Sequence, residues 1–147
     1  CNHVYIKGTL RTWDDDVNDY IISRLEQISN GVAAQAGGKA DFKLIKHMPY
    51  VIGNPTMQQK LRQTGAALVG DENVTRKPRT MGGEDFSYFS RIKPCGHFKV
   101  GVKPAHKTGK NTGHTTTYEV GNGVFKPAVD MFVNFVLNNQ DGIDFGG

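Results

Sequence analysis

Apolar residues recur along this chain with helical spacing in three segments. They return every three or four positions, which places them on one face of an α-helix. The members of the three faces are Val17, Ile21, Leu25, Ile28 and Val32, then Met57, Leu61, Thr64 and Leu68, and finally Phe125, Val129, Phe132, Val133 and Val136. The sequence therefore predicts three substantial helices, of which the last has a strongly apolar face.

Local signals place the ends of the first two helices. Aspartates at residues 14–16 lead the first helix, where negative charge complements the positive end of the helix dipole, and the glycine pair at residues 37–38 ends it. Asn54 is predicted to cap the second helix, with Pro55 at its first position and Gly70 at its end. These signals predict helix boundaries from residues that are close together in the sequence.

Four other segments have the character of β-strands. Residues 4–13 are rich in β-branched and aromatic side chains, and residues 39–47 place two apolar side chains on one face. Residues 73–75 are a short candidate, while residues 95–103 alternate cleanly between apolar and polar positions. The interleaving of these strands with the helices predicts an α/β fold class.

A break rich in proline and glycine at residues 53–55 suggests a domain boundary. It predicts two parts, residues 1–53 with α+β architecture and residues 54–147 with α/β architecture. The 147 residues are 37% apolar and 22% charged, which is enough to build a packed core.

Charge and cysteine content narrow the function classes. The formal net charge of +4 is spread along the chain, so nucleic-acid binding rests on charge alone and has no motif behind it. No apolar run is long enough to span a membrane. Cys1 and Cys95 are too few and too far apart for a disulfide framework, which favours a reducing, cytoplasmic location.

The most informative motif is the segment that reads M-G-G-E-D-F-S-Y-F from residue 81 to residue 89. Its two glycines allow a tight turn and a close approach of the backbone to a ligand. The acidic pair that follows opens a short amphipathic helix, whose first N–H groups can hold an anion. A tight loop before a surface helix is the alternative interpretation.

The order of several segments resembles the C-terminal part of M20-type metallo-amidohydrolases, a metallopeptidase family that includes hippurate hydrolases and aminoacylases. The segments that carry the resemblance are G-T-L-R-T at residues 8–12, the acid-led helix, Asn54-Pro55, M-G-G-E-D-F at residues 81–86, and a histidine before the final helix. The resemblance implies a metal-dependent enzyme that cleaves the amide bond of N-acyl amino acids or related small amides.

The resemblance also implies a domain organisation. Residues 1–53 would be the second half of a lid domain that mediates homodimerisation, and residues 54–147 the C-terminal part of a catalytic domain that binds two divalent ions, Mn or Zn. The family's N-terminal segments, with the catalytic base and most metal ligands, have no counterpart here. The sequence, which starts at Cys1, is therefore expected to be a trimmed or partial polypeptide, or one whose missing half is a separate chain, and to be inactive without that half.

His114 is the candidate metal ligand. A single loop histidine is often a solvated surface residue, and imidazole is also the commonest neutral metal ligand. By the resemblance, His114 falls where the family places its C-terminal ligand, usually within His-Ser-Pro. Here Thr115 and Thr116 replace Ser-Pro, which removes the fixed backbone angle of proline.

Arg11, Gly82 and Gly83 are the candidate substrate-binding residues. Arg11 is either an exposed strand residue with a packed stem or, by the resemblance, the group that holds the substrate carboxylate through its planar fork. The backbone N–H groups of Gly82 and Gly83 would lie near the same carboxylate. Glu84 and Asp85 are either charges at a helix start or hydrogen-bond partners of a ligand histidine.

Two other functions remain open from the sequence. The predicted strand at residues 4–13 would have an unpaired edge, and such edges bind other strands, so the chain is alternatively a non-catalytic dimerisation or assembly module. A basic protein that binds acidic surfaces is the third possibility, and binding that does not depend on salt would exclude it.

Overall fold

Helices supply the regular secondary structure in residues 2–45 and 48–145, the part of the chain that this computed structural model describes. Their bounds are α1 at Asp15–Gln35, α2 at Pro55–Val69, α3 at Ser87–Ser90 and α4 at Phe125–Leu137, with short 3-10 helices at Asp71–Asn73 and Asn122–Val124. The three helices predicted from apolar spacing are therefore confirmed, and α3 is a single turn. None of the helices in this part of the chain has both the length and the apolar character needed to cross a membrane.

The ends of α1 follow the local signals. Asp14 has an extended backbone, and its carboxylate accepts a hydrogen bond from the Val17 N–H at 2.9 Å. Such a cap stabilises a helix by about 1 kcal/mol relative to alanine. At the other end, the Ala36 N–H bonds to carbonyls of the last turn, and Gly37 adopts the left-handed conformation, with φ of 71°, that stops the helix.

The ends of α2 follow the same logic. Asn54 accepts a hydrogen bond from the Met57 N–H at 3.1 Å, and Pro55 occupies the first helical position. The backbone N–H of Asn54 donates to the Cys95 carbonyl at 2.8 Å, which fixes the start of α2 to a distant segment. Gly70, with φ of 86°, ends the helix. The predicted boundaries of α2 are confirmed.

The predicted strands are not found among the described residues. Residues 4–13, 39–45, 73–75 and 95–103 carry no strand, and Lys46 and His47 lie outside the described part of the chain. The helical part of the predicted α/β class is present, whereas the strand prediction fails for these segments. The physical reason is that a strand needs a lateral partner for its N–H and C=O groups, and local alternation cannot supply one.

The chain divides into two compact units. The first contains Cys1–Ile52 and Pro78–Lys93, and the second contains Gly53–Lys77 and Pro94–Gly147. In the second unit α4 packs against α2, where Leu61 and Met131 are buried. The predicted roles of residues 1–53 as a lid and 54–147 as a catalytic part concern function, and they stay predictions.

The apolar stripe predicted for α4 lies mostly on the exposed side of the helix. Phe125 and Val129 are each 60% exposed and Val136 is 65% exposed, whereas Met131 is buried at 7%. Phe132 contacts Phe98 with 5.2 Å between ring centroids, yet 65% of its surface stays accessible. Because α4 is apolar around most of its circumference, its spacing predicted a helix without choosing the face that packs on α2.

Candidate functional site

The first unit brings Arg11 and Gly83 into contact, although they are far apart in the sequence. A Cβ atom built on Gly83 would lie 2.9 Å from Nη1 of Arg11 and 2.8 Å from Sδ of Met48. Real Cβ atoms do not approach heavy atoms so closely, so a side chain at position 83 cannot coexist with this arrangement. Gly83 is therefore a position where the absence of a side chain lets a guanidinium lie against the backbone.

A second contact fixes the same two segments to each other. The indole N–H of Trp13 donates to the Thr80 carbonyl at 3.4 Å. Thr12 lies between Arg11 and Trp13, and its hydroxyl donates to the Asp14 carbonyl at 3.0 Å, which links this segment to the start of α1. Two side chains thus contact the loop around Gly83. They are Arg11 and Trp13, the residues on either side of Thr12.

An ion pair fixes α1 to the segment around α3. Arg91 donates two hydrogen bonds to the Asp15 carboxylate, at 2.6 and 3.0 Å, and its guanidinium lies 4.6 Å from the centre of the Tyr50 ring. The Ser90 hydroxyl accepts from the Ile52 N–H at 3.0 Å. No local pattern pointed to Arg91, Tyr50 or Met48, because their partners come from distant segments.

Glu84 and Asp85 form the turn that precedes α3. Their carbonyls accept hydrogen bonds from the N–H groups of Ser87 at 3.0 Å and Tyr88 at 3.1 Å. The Glu84 side chain is half-buried, and one of its oxygens lies 3.5 Å from the Phe86 N–H. Both residues thus take part in a local turn, and the hydrogen bond to a ligand histidine stays a prediction.

His114 lies in the second unit on an exposed turn. Its φ is 62°, and among the described residues it is the non-glycine residue with a positive φ. The turn is closed by the Thr115 hydroxyl, which donates to the Thr112 carbonyl at 2.8 Å, and by the Tyr118 N–H, which donates to the Thr115 carbonyl at 3.1 Å. A left-handed backbone costs about 1 kcal/mol for a residue with a side chain, so the fold holds His114 in an unusual conformation.

Side chains connect the two sides of the long loop that contains His114. The Asn111 side-chain amide donates to the Glu119 carbonyl at 2.7 Å and accepts from the Glu119 N–H at 3.1 Å. It thus satisfies both backbone hydrogen-bonding groups of Glu119. His106 lies 3.2 Å from the Glu119 carboxylate, and Lys107 donates to the Thr117 carbonyl. The loop is therefore structured although the sequence predicted only polar character for it.

The metal-ligating residues of the described chain do not converge. Within residues 2–45 and 48–145, no group of three or more His, Cys, Asp and Glu side chains is placed to hold a metal ion. The described residues thus do not fit a metal ion by themselves. His114 can serve as one ligand only if the others come from elsewhere, and its role stays a prediction.

A cavity of about 430 Å³ lies in the second unit, beside the loop that contains His106. Its walls come from residues 101–106, residues 119–124 and Pro127. Gly121 joins the two main wall segments. Its N–H donates to the Val102 carbonyl at 2.8 Å, and a Cβ there would lie 3.1 Å from Pro104. None of the predicted site residues lines this cavity.

Comparison with known proteins finds several relatives named as hydrolases. The chain is 29% identical over 143 residues to a Sinorhizobium fredii protein named "Uncharacterized hydrolase y4tI", a match that covers 97% of this chain and 35% of the relative. It is 24% identical to "Putative amidohydrolase YhaA" of Bacillus subtilis, over 77% of this chain and 28% of the relative. It is 22% identical to "IAA-amino acid hydrolase ILR1-like 6" of Arabidopsis thaliana, over 80% of this chain and 26% of the relative.

These matches cover between 77% and 97% of this chain, but a much smaller share of each relative. The chain spans about a quarter to a third of the length of the curated relatives that it matches. No protein-family model and no solved structure matches the chain. The similarity therefore indicates a relationship to proteins named as hydrolases and amidohydrolases.

Proposed function

We propose that this chain is the C-terminal portion of a metal-dependent amidohydrolase of the M20 type, which cleaves the amide bond of N-acyl amino acids or related small amides. The observation that carries the proposal is the similarity of 97% of the chain to a protein named as a hydrolase, with further relatives named as amidohydrolase and as IAA-amino acid hydrolase. The contact of Arg11 with Gly83 supports it, because the two predicted substrate-binding segments meet.

In this proposal Arg11 binds the substrate carboxylate. Its guanidinium offers two parallel N–H groups that match the two oxygens of a carboxylate, and the neighbouring backbone N–H groups of Gly82 and Gly83 add donors. Arg11 is exposed, so an anion can reach it from solvent. Hydrogen bonds to a charged group contribute about 1.5–3 kcal/mol, which is enough to select substrates that carry a carboxylate.

His114 would supply one ligand of a centre with two divalent ions, Mn or Zn. The other ligands and the catalytic base would come from the missing N-terminal half, since the described residues contain no ligand cluster. Such a centre, held by His114 and ligands from the missing half, would supply Lewis-acid chemistry near neutral pH. The left-handed backbone of His114 supports a functional role, because strained conformations are concentrated at functional sites.

The domain roles follow from the same proposal. Residues 1–53 would belong to a lid that pairs two subunits into a homodimer, and residues 54–147 would complete the catalytic domain. The chain alone is expected to hydrolyse nothing, and no role in binding nucleic acid is proposed.

Hydrolysis by the full-length product of the gene that encodes this chain tests the proposal. The protein is loaded with manganese or zinc, and release of free amino acid from N-acyl amino acids is measured with and without chelator. The 147-residue chain, treated in the same way, is the matched control. A metal-loaded full-length protein that hydrolyses no N-acyl amino acid would contradict the proposed reaction.

One observation favours the alternative of a non-catalytic assembly module. Val4, Tyr5 and Ile6 are 77%, 92% and 92% exposed, so an apolar segment is accessible to a partner. This alternative predicts a dimer or complex whether or not metal is present. Sedimentation with and without chelator separates the two functions, because the module would assemble equally in both conditions and show no hydrolysis.

A further inference from the structure

The two units of the chain together expose far more surface than two separate compact units of the same total mass. The accessible surface of the chain is 11974 Å², whereas a single compact protein of this mass exposes about 7,500 Å². Even two separate compact units of half the mass would expose only about 9,000 Å² in total. An excess on the order of 3,000 Å² over two separate compact units therefore remains.

Exposed apolar side chains are concentrated on the outer side of α4. Phe125, Val129, Phe132, Val133 and Val136 form one continuous stripe, which we call the outer stripe, and each member is between 49% and 65% exposed. The opposite side of the helix already packs on α2. Single proteins rarely expose contiguous apolar patches above a few hundred Å², and larger patches mark surfaces that another element covers.

The charged residues beside the outer stripe indicate what kind of surface can cover it. Lys126 and Asp130 flank the stripe one helical turn apart and form an ion pair with each other. Neither charge therefore needs a partner from another chain. The occupant is expected to present an apolar surface without a complementary charge, as the interior of a folded domain does.

The total exposed area of the chain and the length of its relatives together favour one of two occupants. A second copy of this chain in an interface of standard size would cover about 800 Å² on each partner, well below the excess of about 3,000 Å². A longer polypeptide would supply a larger covering surface. The relatives have such a polypeptide, because the chain matches only 35% and 28% of the lengths of the Sinorhizobium and Bacillus proteins.

We propose that the outer stripe of α4 is covered by polypeptide that is continuous with this chain and corresponds to the part of the relatives outside the match. α4 is then an internal helix of a larger domain, with α2 on one side and the added polypeptide on the other. The inference rests on the part of the proposed function that makes this chain a portion of a longer protein, and it does not depend on the reaction.

Thiol labelling locates the covered surface. Single cysteines are introduced by Val129→Cys and Val136→Cys, with Lys126→Cys as the matched control on the same helix, after Cys1 and Cys95 are replaced by serine. Maleimide reaction rates are compared between the 147-residue chain and the full-length gene product. We expect the two stripe positions to react at least about tenfold more slowly in the full-length product, while the control position reacts similarly in both, because thiol reactivity follows exposure.

Hydrogen exchange on the unsubstituted proteins gives the same test without a variant that could fail to fold. The amides of α4 should exchange more slowly in the full-length product than in the 147-residue chain, because added packing raises the free energy of local opening. Equal labelling and equal exchange in the two proteins would overturn the proposal, as would a gene product that contains only these 147 residues.

Two outcomes distinguish this inference from coverage by a second copy of the chain and from the proposed reaction. Protection of the outer stripe that depends on concentration in the 147-residue chain, together with a dimer in sedimentation, would assign the surface to a second copy and overturn the proposal. A full-length product with a protected stripe but without amide hydrolysis would support the surface and contradict the proposed reaction. The two proposals can therefore fail independently.

Discussion

The substitution Gly83→Ala tests the contact on which the substrate-binding proposal depends. The new methyl group would lie 2.9 Å from Nη1 of Arg11 and 2.8 Å from Sδ of Met48, well inside ordinary van der Waals distance. Both atoms are at the ends of flexible side chains, so these side chains move and the backbone does not have to. The expected result is a displaced Arg11 guanidinium within an otherwise intact fold.

Gly83→Ala is expected to change substrate binding more than it changes the stability of the fold. Gly83 does not have a positive φ, so alanine is compatible with its backbone and reduces the entropy of the unfolded chain, a gain of about 0.4–1 kcal/mol. This gain offsets part of the roughly 1–3 kcal/mol that overpacking costs. Loss of a charge-assisted contact to the carboxylate removes about 1.5–3 kcal/mol from transition-state binding. At 1.36 kcal/mol for each factor of ten, kcat/KM should fall roughly 10- to 150-fold.

The assay uses the full-length protein and two substrates. One is an N-acyl amino acid, and the other is the same amide without the carboxylate. Gly82→Ala is the matched control, because a Cβ there would have only the Thr80 hydroxyl as a neighbour, at 3.9 Å. We expect Gly83→Ala to lower kcat/KM for the carboxylate substrate alone, and Gly82→Ala to leave both substrates nearly unchanged.

Two results would refute the reasoning. If Gly83→Ala and Gly82→Ala give the same kcat/KM for the carboxylate substrate, the contact with Arg11 does not control binding. If Gly83→Ala lowers kcat/KM equally for both substrates, the change acts on the fold or on the chemistry rather than on the carboxylate. Urea unfolding of each variant checks that stability has changed by no more than a few kcal/mol.

Three further predictions concern Arg11, His114 and Arg91. Arg11→Lys should lower kcat/KM for the carboxylate substrate by roughly tenfold, since an ammonium group cannot reproduce two parallel contacts; unchanged kinetics would exclude the role. His114→Gly should lower the metal content of the full-length protein, measured by elemental analysis, and should raise stability by up to about 0.5 kcal/mol, because relief of the left-handed backbone exceeds the added entropy of the unfolded chain. His114→Ala should lower the metal content without that gain, and full metal content in both variants would remove His114 from the ligand set. Arg91→Met should lower the free energy of unfolding by about 1–2 kcal/mol through loss of the Asp15 ion pair and the Tyr50 contact. High salt should reduce the difference between wild type and this variant, and a difference that salt does not change would argue against the ion pair.

The sequence predicted those parts of the fold that depend on neighbouring residues. The cap by Asp14, the proline start of α2 and the glycine ends of both helices are contacts within a few residues, so local chemistry specifies them. The pair of aromatic rings in the segment around α3 is likewise local, with 5.9 Å between the ring centroids of Phe86 and Phe89. Local contacts of this kind can be deduced from one sequence because no distant partner has to be known.

The candidate site could be predicted only in part. The resemblance pointed to Arg11 and Gly83 separately, but nothing in the spacing of residues could show that the guanidinium lies against that glycine. Nothing in the sequence pointed to a role at this site for Met48, which lies beside Gly83, or for Trp13, which donates to the Thr80 carbonyl. Each of these contacts joins residues that are far apart in sequence, so the path of the chain determines them.

The sequence by itself thus determined where α1, α2 and α4 form and where the first two begin and end, because helix hydrogen bonds and caps are satisfied within a few residues. Tertiary structure alone decided which face of α4 packs on α2 and that Arg11 meets Gly83. It also decided that residues 4–13 and 95–103 carry no strand in the described chain. These outcomes depend on which distant surface is available as a partner, and a local pattern of apolar and polar residues contains no information about that partner.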